Sequence, residues 1–238
     1  MKKIVCETYE DVCKYAADMF AMQLKDKPDS VLGLATGSTP EGLYRELIQR
    51  YNNKEMDFSK AQSFNLDEYY PIDPGHPQSY AYFMQKNLFS DINLSKTGIP
   101  DGNAKDPIAE CARYNSEIDA AGGIDLMLLG IGHNGHIGFN EPSASYSIGT
   151  HMVELTESSI KANSRFFAPG EHQPVTALTM GIGHIFNAKK VLMLITGAGK
   201  VDIAKKLFEG TIHTDVPACL LLLHKNFTVI LDKAANGE

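Results

Sequence analysis

Histidine, amide and carboxylate side chains crowd into one glycine-rich stretch, Gly130-Ile131-Gly132-His133-Asn134-Gly135-His136-Ile137-Gly138-Phe139-Asn140-Glu141-Pro142. Its four glycines allow a backbone to approach a ligand closely. His136 can take or give a proton near neutral pH. Asn134 and Glu141 are near enough in sequence to orient its ring. The isolated GxG pieces are weak evidence for a dinucleotide, because no helix of the required kind follows them. His133 and His136 could be read as zinc ligands. The chain has no HExxH and no second ligand cluster of suitable spacing, so no metal is predicted.

A second chemistry-bearing residue, Asp67, follows the apolar run Ala61–Leu66. A carboxylate at a strand end can act as a base toward a C–H next to a carbonyl, once substrate binding dries the site. Glu68 alternates to the other side and is the weaker candidate. A third segment, Thr36-Gly37-Ser38-Thr39-Pro40-Glu41-Gly42, joins an apolar run to a helical pattern. Thr39 is the expected N-cap, with Pro40 at the first helical position. The amides and hydroxyls of Gly37, Ser38 and Thr39 could then cradle an anion at a helix N-terminus. The GxxxxGK[ST] pattern is missing, so nucleotide triphosphate chemistry is not supported. Two cations complete the set: Arg165, within Ala162-Asn163-Ser164-Arg165-Phe166-Phe167, and Lys200, closing Thr196-Gly197-Ala198-Gly199-Lys200. With the Gly37–Thr39 turn they could form one phosphate pocket.

These residues need a scaffold that brings distant segments together. The runs Val31–Ala35, Ala61–Leu66, Ile124–Ile131, Val191–Thr196, Ala218–Leu223 and Phe227–Leu231 read as strands. Helical spacing covers Tyr9–Lys25, Pro40–Tyr51, His76–Phe89, Asp106–Ala121 and Lys200–Phe208. Strands apolar on both faces and separated by helices predict an α/β fold with a mostly parallel central sheet and helices on both faces. Ligands of such sheets sit outside the carboxyl ends of the strands, where the Gly37–Thr39 turn, Asp67, the histidine loop and Lys200 fall. No linker, repeat or composition shift divides residues 1–238, so one domain is expected.

Composition narrows the partners. The formal net charge of the 238-residue chain is −7, with no basic stripe, which disfavours nucleic acid. A few local cations and backbone dipoles still allow a phosphorylated metabolite. Cys6, Cys13, Cys111 and Cys219 include no CxxC pair, and free, mostly buried thiols are expected. The N-terminal apolar stretch is too short for a signal peptide, and no run approaches the ~18–20 residues that cross a bilayer. A cytoplasmic protein without membrane contact is expected.

Five ordered segments carry a resemblance to the glucosamine-6-phosphate deaminases, also called glucosamine-6-phosphate isomerases. They are Leu34–Pro40, Phe64–Tyr69, Gly130–Pro142, Ala162–Phe167 and Gly197–Lys200, and the Gly-His-Ile-Gly-Phe-Asn-Glu-Pro run is the most diagnostic. The resemblance implies a three-layer Rossmann-like fold. It also implies conversion of glucosamine 6-phosphate and water into fructose 6-phosphate and ammonium, in amino sugar catabolism. In that reading His136 moves the proton that opens the sugar ring, supported by Glu141 and Asn134. Asp67 takes the C2 proton and returns it at C1. Gly37, Ser38, Thr39, Arg165 and Lys200 hold the phosphate, and no metal or redox cofactor is needed. The family often has an aspartate at position 134, so the amide leaves the charged role to Glu141. The stretch Ile148–Glu154 lacks the Arg/Lys pair of the allosteric hexamers, and the chain stops soon after Leu231-Asp232-Lys233. A monomer with no effector site is therefore expected. The polar segment Leu155–Pro174 is expected to act as a lid carrying Arg165. The alternatives are a 6-phosphogluconolactonase-type hydrolase, which shares a similar loop, and a non-catalytic sugar-phosphate sensor.

Overall fold

The computed structural model describes residues 1–156, 160 and 173–238. Its first half comprises β1 (Lys2–Cys6), α1 (Tyr9–Asp26), β2 (Val31–Leu34), α2 (Ser38–Asn52), β3 (Gln62–Asn65), β4 (Asp67–Tyr70), α3 (Tyr80–Met84), β5 (Lys96–Gly98) and α4 (Pro107–Ala120). A π turn, Gln85–Phe89, extends α3. Then come β6 (Leu126–Leu129), β7 (His151–Glu154), β8 (Thr176–Thr179), α5 (Ile182–Phe186), β9 (Lys190–Ile195), α6 (Val201–Phe208), β10 (Phe227–Asp232) and α7 (Lys233–Asn236).

Seven strands form one sheet in the order β1-β10-β9-β6-β2-β3-β5, every pair parallel. The central strands β2 (Val-Leu-Gly-Leu) and β6 (Leu-Met-Leu-Leu) are buried at every residue. That pattern requires cover on both faces, which the connecting helices supply. The expected α/β class holds, and so do the free cysteines, with Cys13, Cys111 and Cys219 buried. Among the described residues no helix is long and apolar enough to cross a membrane.

The chain builds outward from β2 through β3 to β5, then returns to place β6 on the other side of β2 and continues to β9 and β10. The strand order reverses between β2 and β6, so their outgoing loops diverge and leave a crevice. At the opposite end of the sheet the buried Asp125 carboxylate receives Lys27 Nζ and Lys189 Nζ, each at 2.6 Å, and the Val31 N–H at 2.8 Å. Burial alone would raise its pKa. The hydrogen bonds from Lys189, Lys27 and Val31 outweigh that and hold it low.

Four sequence expectations are corrected. The run Ala218–Leu223 is part of a 3-10 helix, Pro217–Leu223. Pro217 lacks the N–H a ladder needs, and a short buried apolar run has no periodicity to separate strand from helix. The Asp67 segment is itself a strand, in a second, antiparallel sheet β4-β8-β7. Helix α2 begins at Ser38 with Gly37 at the cap position, so Thr39 is not the N-cap. The His76–Phe89 helix starts only at Tyr80, where the Ser79 side chain accepts the Tyr82 N–H.

Candidate active site

The crevice holds a cavity of about 390 Å3, inside the range usual for small-molecule sites. Four strand ends contribute to it: Ala35–Thr39 after β2, Leu66 and Asp67 after β3, Gly130–Gly138 after β6, and Lys200 after β9.

The N-terminus of α2 forms part of the lining. Gly37 has φ 92° and ψ −178°, a left-sided conformation that a side chain would strain, and no side chain caps the helix. The first amides are therefore left for a ligand, where the helix dipole favours negative charge. Tyr9 fixes this turn: its hydroxyl lies 3.0 Å from Thr39 O and 3.2 Å from Ser38 O, and accepts the Gly42 N–H at 2.8 Å. Opposite, Lys200 Nζ donates to Ile131 O at 2.7 Å, which aims the ammonium along the cavity wall. Burial lowers its pKa.

Asp67, also in the lining, is 6% exposed. Burial first, and the charge of Glu68 second, push its pKa up to about 8. Glu68 is buried beside it and accepts the N–H groups of Tyr69 at 2.9 Å, Tyr80 at 2.8 Å and Ala81 at 2.8 Å. Its own pKa rises to about 7 through burial, against those three bonds. Leu66 is the junction between the sheets: its N–H donates to Leu34 O at 3.1 Å, and its carbonyl accepts the Met180 N–H at 2.6 Å.

The antiparallel sheet ties Asp67 to the histidine loop. Asp67 lies opposite Thr179 in the β4–β8 register. The Thr179 hydroxyl accepts the Phe139 N–H at 3.1 Å, and Asn140 Nδ2 donates to Ile137 O and Met180 O, both at 2.9 Å. A Cβ at Gly138 would stand 3.0 Å from Thr179 Oγ1 and 3.3 Å from Asp67 Oδ2, so glycine admits the loop against the carboxylate. Gly132 serves the same purpose for the His136 ring, which occupies the space a Cβ would need.

His136 Nδ1 faces Glu141 Oε1 at 3.3 Å, close but off the line of a formed hydrogen bond. Asn134 Nδ2 donates to Glu141 Oε2 at 2.6 Å, and Asn134 Oδ1 accepts the His136 backbone N–H at 3.3 Å. Gly37, Ser38, Thr39, Asp67, His136 and Lys200 thus line one cavity. Glu141 and Asn134 stand behind the imidazole. Arg165 and most of the Leu155–Pro174 segment lie outside the described residues.

Sequence reasoning assigned no role to Tyr80 and Phe139, which line the same cavity. Their rings stack at 6.1 Å with an interplanar angle of 7°, and Tyr69 packs 4.8 Å from Tyr80. Ser79 as an N-cap was the available signal that Tyr80 opens a helix rather than lying within one. Among the described residues no group of three His, Cys, Asp or Glu side chains could hold a metal ion.

A doubly wound protein that opens its crevice between β2 and β6 and lines it this way is built for a small phosphorylated metabolite. Comparison with known proteins narrows that class. The family model described as glucosamine-6-phosphate isomerases/6-phosphogluconolactonase matches residues 6–230, and the chain belongs to this family. The glucosamine-6-phosphate deaminase of Clostridium botulinum (strain Kyoto / Type A2) is 51% identical over 240 residues, covering 100% of this chain and 98% of the relative. That of Thermoanaerobacter sp. (strain X514) is 51% identical over 237 residues, covering 99% and 94%. Among solved structures, a monomeric glucosamine-6-phosphate deaminase superposes with a TM-score of 0.95 at 45% identity, covering 100% of this chain and 99% of the other. The 6-phosphogluconolactonase of Trypanosoma cruzi matches with a TM-score of 0.80 at 20% identity, covering 100% and 96%, a likeness of fold alone.

Proposed function

We propose that this chain converts glucosamine 6-phosphate and water into fructose 6-phosphate and ammonium. The observation that carries the reading is one cavity lined both by the open helix N-terminus at Gly37–Thr39 and by a buried carboxylate and an imidazole. The phosphate is held by the amides and hydroxyls of Gly37, Ser38 and Thr39 and by Lys200, with Arg165 as a further cation. Binding energy from that remote group fixes C1 and C2 against the reacting side chains.

His136, oriented by Glu141 and Asn134, gives a proton to the ring oxygen as the C1 hydroxyl loses one. The C1–O5 bond breaks and an open-chain aldehyde results. Asp67 as carboxylate then removes the C2 proton, and the electron pair forms a C1–C2 double bond as the aldehyde oxygen takes up a proton. The product is an enolamine. Asp67 returns its proton to C1, and C2 becomes an iminium. Water adds there and ammonia leaves, giving the ketose. The substrate's own carbonyl accepts the electron pair when C2 is deprotonated, and its amine nitrogen donates one when C1 is protonated.

A solved glucosamine-6-phosphate deaminase that superposes with a TM-score of 0.95 is described as monomeric, and Ile148–Glu154 carries no Arg/Lys pair. We therefore read this chain as a cytoplasmic monomer without activation by N-acetylglucosamine 6-phosphate. Light scattering during gel filtration, and rate curves that stay hyperbolic and unchanged with the acetylated sugar phosphate, test that part. A coupled assay for fructose 6-phosphate and ammonium tests the reaction. Acid release from 6-phosphogluconolactone without ammonium release from the amino sugar would replace it with lactone hydrolysis. Tight binding of glucosamine 6-phosphate without turnover would make the chain a sensor.

A further inference from the structure

His133 has no part in the chemistry described so far, yet its imidazole lines the cavity beside Lys200. Nδ1 lies 3.5 Å from Lys200 Nζ, and Nε2 lies 3.5 Å from where a Cβ on Gly199 would stand. The ring therefore leans on the Gly197–Lys200 turn, and Lys200 is itself anchored to Ile131 O in the loop that carries His133. We propose that His133 is a second, proton-dependent contact for the substrate's phosphate, acting beside Lys200. This inference rests on the sugar-phosphate reading of the cavity.

Two cations 3.5 Å apart repel unless an anion lies against both of them. The charged groups bearing on His133 are Lys200, from the turn after β9, and His136, from its own loop. Among the described residues no carboxylate forms an ion pair with it. Lys200 first, then burial and His136, depress its pKa, so the ring is neutral in the empty cavity at pH 7. A phosphate dianion reverses that field: each cation then gains a charge-assisted hydrogen bond, and binding takes up a proton at His133. The lysine is a fixed point charge. The histidine adds affinity only on the acid side of neutrality.

The test uses His133→Asn, which removes the charge, and His133→Arg, whose charge does not titrate in this range. Inorganic phosphate is titrated calorimetrically into each protein, and glucosamine 6-phosphate kinetics are measured, at pH 6.5 and 8.5. The titration of phosphate itself is common to all three proteins and cancels in the ratios. At pH 6.5 His133→Asn should weaken phosphate binding and raise KM by about five- to tenfold, with kcat within about twofold. The ratio should fall toward one at pH 8.5. His133→Arg should keep wild-type affinity at pH 6.5 and exceed it at pH 8.5. Equal phosphate affinity of wild type and His133→Asn at both pH values overturns the inference, as does a loss confined to kcat. Absence of ammonium release by the wild type would instead remove the functional reading, and the phosphate titration would still decide the role of His133.

Discussion

Glu141 is divided between two neighbours: Oε1 faces His136 Nδ1 at 3.3 Å, while Oε2 accepts from Asn134 Nδ2 at 2.6 Å. One carboxylate is thus aimed at the imidazole by the other end of the same loop. The amide at position 134 can donate, which an aspartate at neutral pH cannot. Asn134→Asp should place two carboxylates within 2.6 Å and turn Glu141 away from His136. Turnover of the closed-ring sugar should fall about tenfold, more at higher pH. Glu141→Gln should lower kcat by about 10- to 100-fold while leaving phosphate affinity unchanged. Steady-state kinetics with a phosphate competition arm check both.

Asp67 lies buried next to Glu68, and the acid limb of kcat/KM should follow its ionisation. The reaction needs the carboxylate, and the free protein holds that proton up to about pH 8. The rate constant kcat/KM should therefore climb with pH toward 8, because it reports the free enzyme. A pH-rate profile flat between pH 6 and 8 would exclude Asp67 as the base.

The same burial carries a stability cost. Asp67 has a folded-state pKa raised from 3.8 to about 8, so the stability it allows is fully present below pH 4 and is lost as pH rises toward 8. Asp67→Asn removes that loss. The variant should match wild type in stability near pH 4 and become more stable as pH rises, by about 1.4 kcal/mol per pH unit at most, levelling off above pH 8. It should also lose about 10²–10⁴ in turnover. Denaturant melts across the pH range, paired with the coupled assay, measure the two effects on one sample.

Asp125 supplies the contrasting case, far from the cavity. Its pKa is depressed in the folded state, so its contribution is present at neutral pH and is lost as pH falls through the folded value. Asp125→Asn leaves Lys27 and Lys189 without their shared partner and should cost about 1–3 kcal/mol at pH 7. The deficit should shrink below about pH 4, near the ordinary carboxylate range. KM and kcat should stay at wild-type values.

Much of the central sheet could be read from short runs apolar on both faces, bounded by turn residues: Val31–Ala35, Ala61–Leu66 and Phe227–Leu231 all fall on strands. Gly37–Thr39, Asp67, His136 and Lys200 could be singled out for the same reason, since each follows such a run, and they line one cavity; Arg165 follows none and lies outside the described residues. The second sheet was not. Asp67–Tyr70 and Thr176–Thr179 pair across more than one hundred residues of sequence, and His151–Glu154 mixes polar and apolar residues with none fully buried. Nothing local announces such pairing. Pro40 pointed to a capped turn at Thr39, but the open conformation of Gly37 moved the helix start forward to Ser38. Tyr80 and Phe139 were hidden for a different reason: aromatic rings that wall a ligand cavity look like core residues until the fold assembles them.

The decisive measurement is a crystal structure of the protein with fructose 6-phosphate bound. Phosphate oxygens are expected on the amides of Gly37, Ser38 and Thr39 and on Lys200, with C1 and C2 within about 3.5 Å of the Asp67 carboxylate and His136 on the ring-oxygen side. A phosphate bound away from the α2 N-terminus, or a sugar whose C2 faces neither Asp67 nor His136, would contradict it.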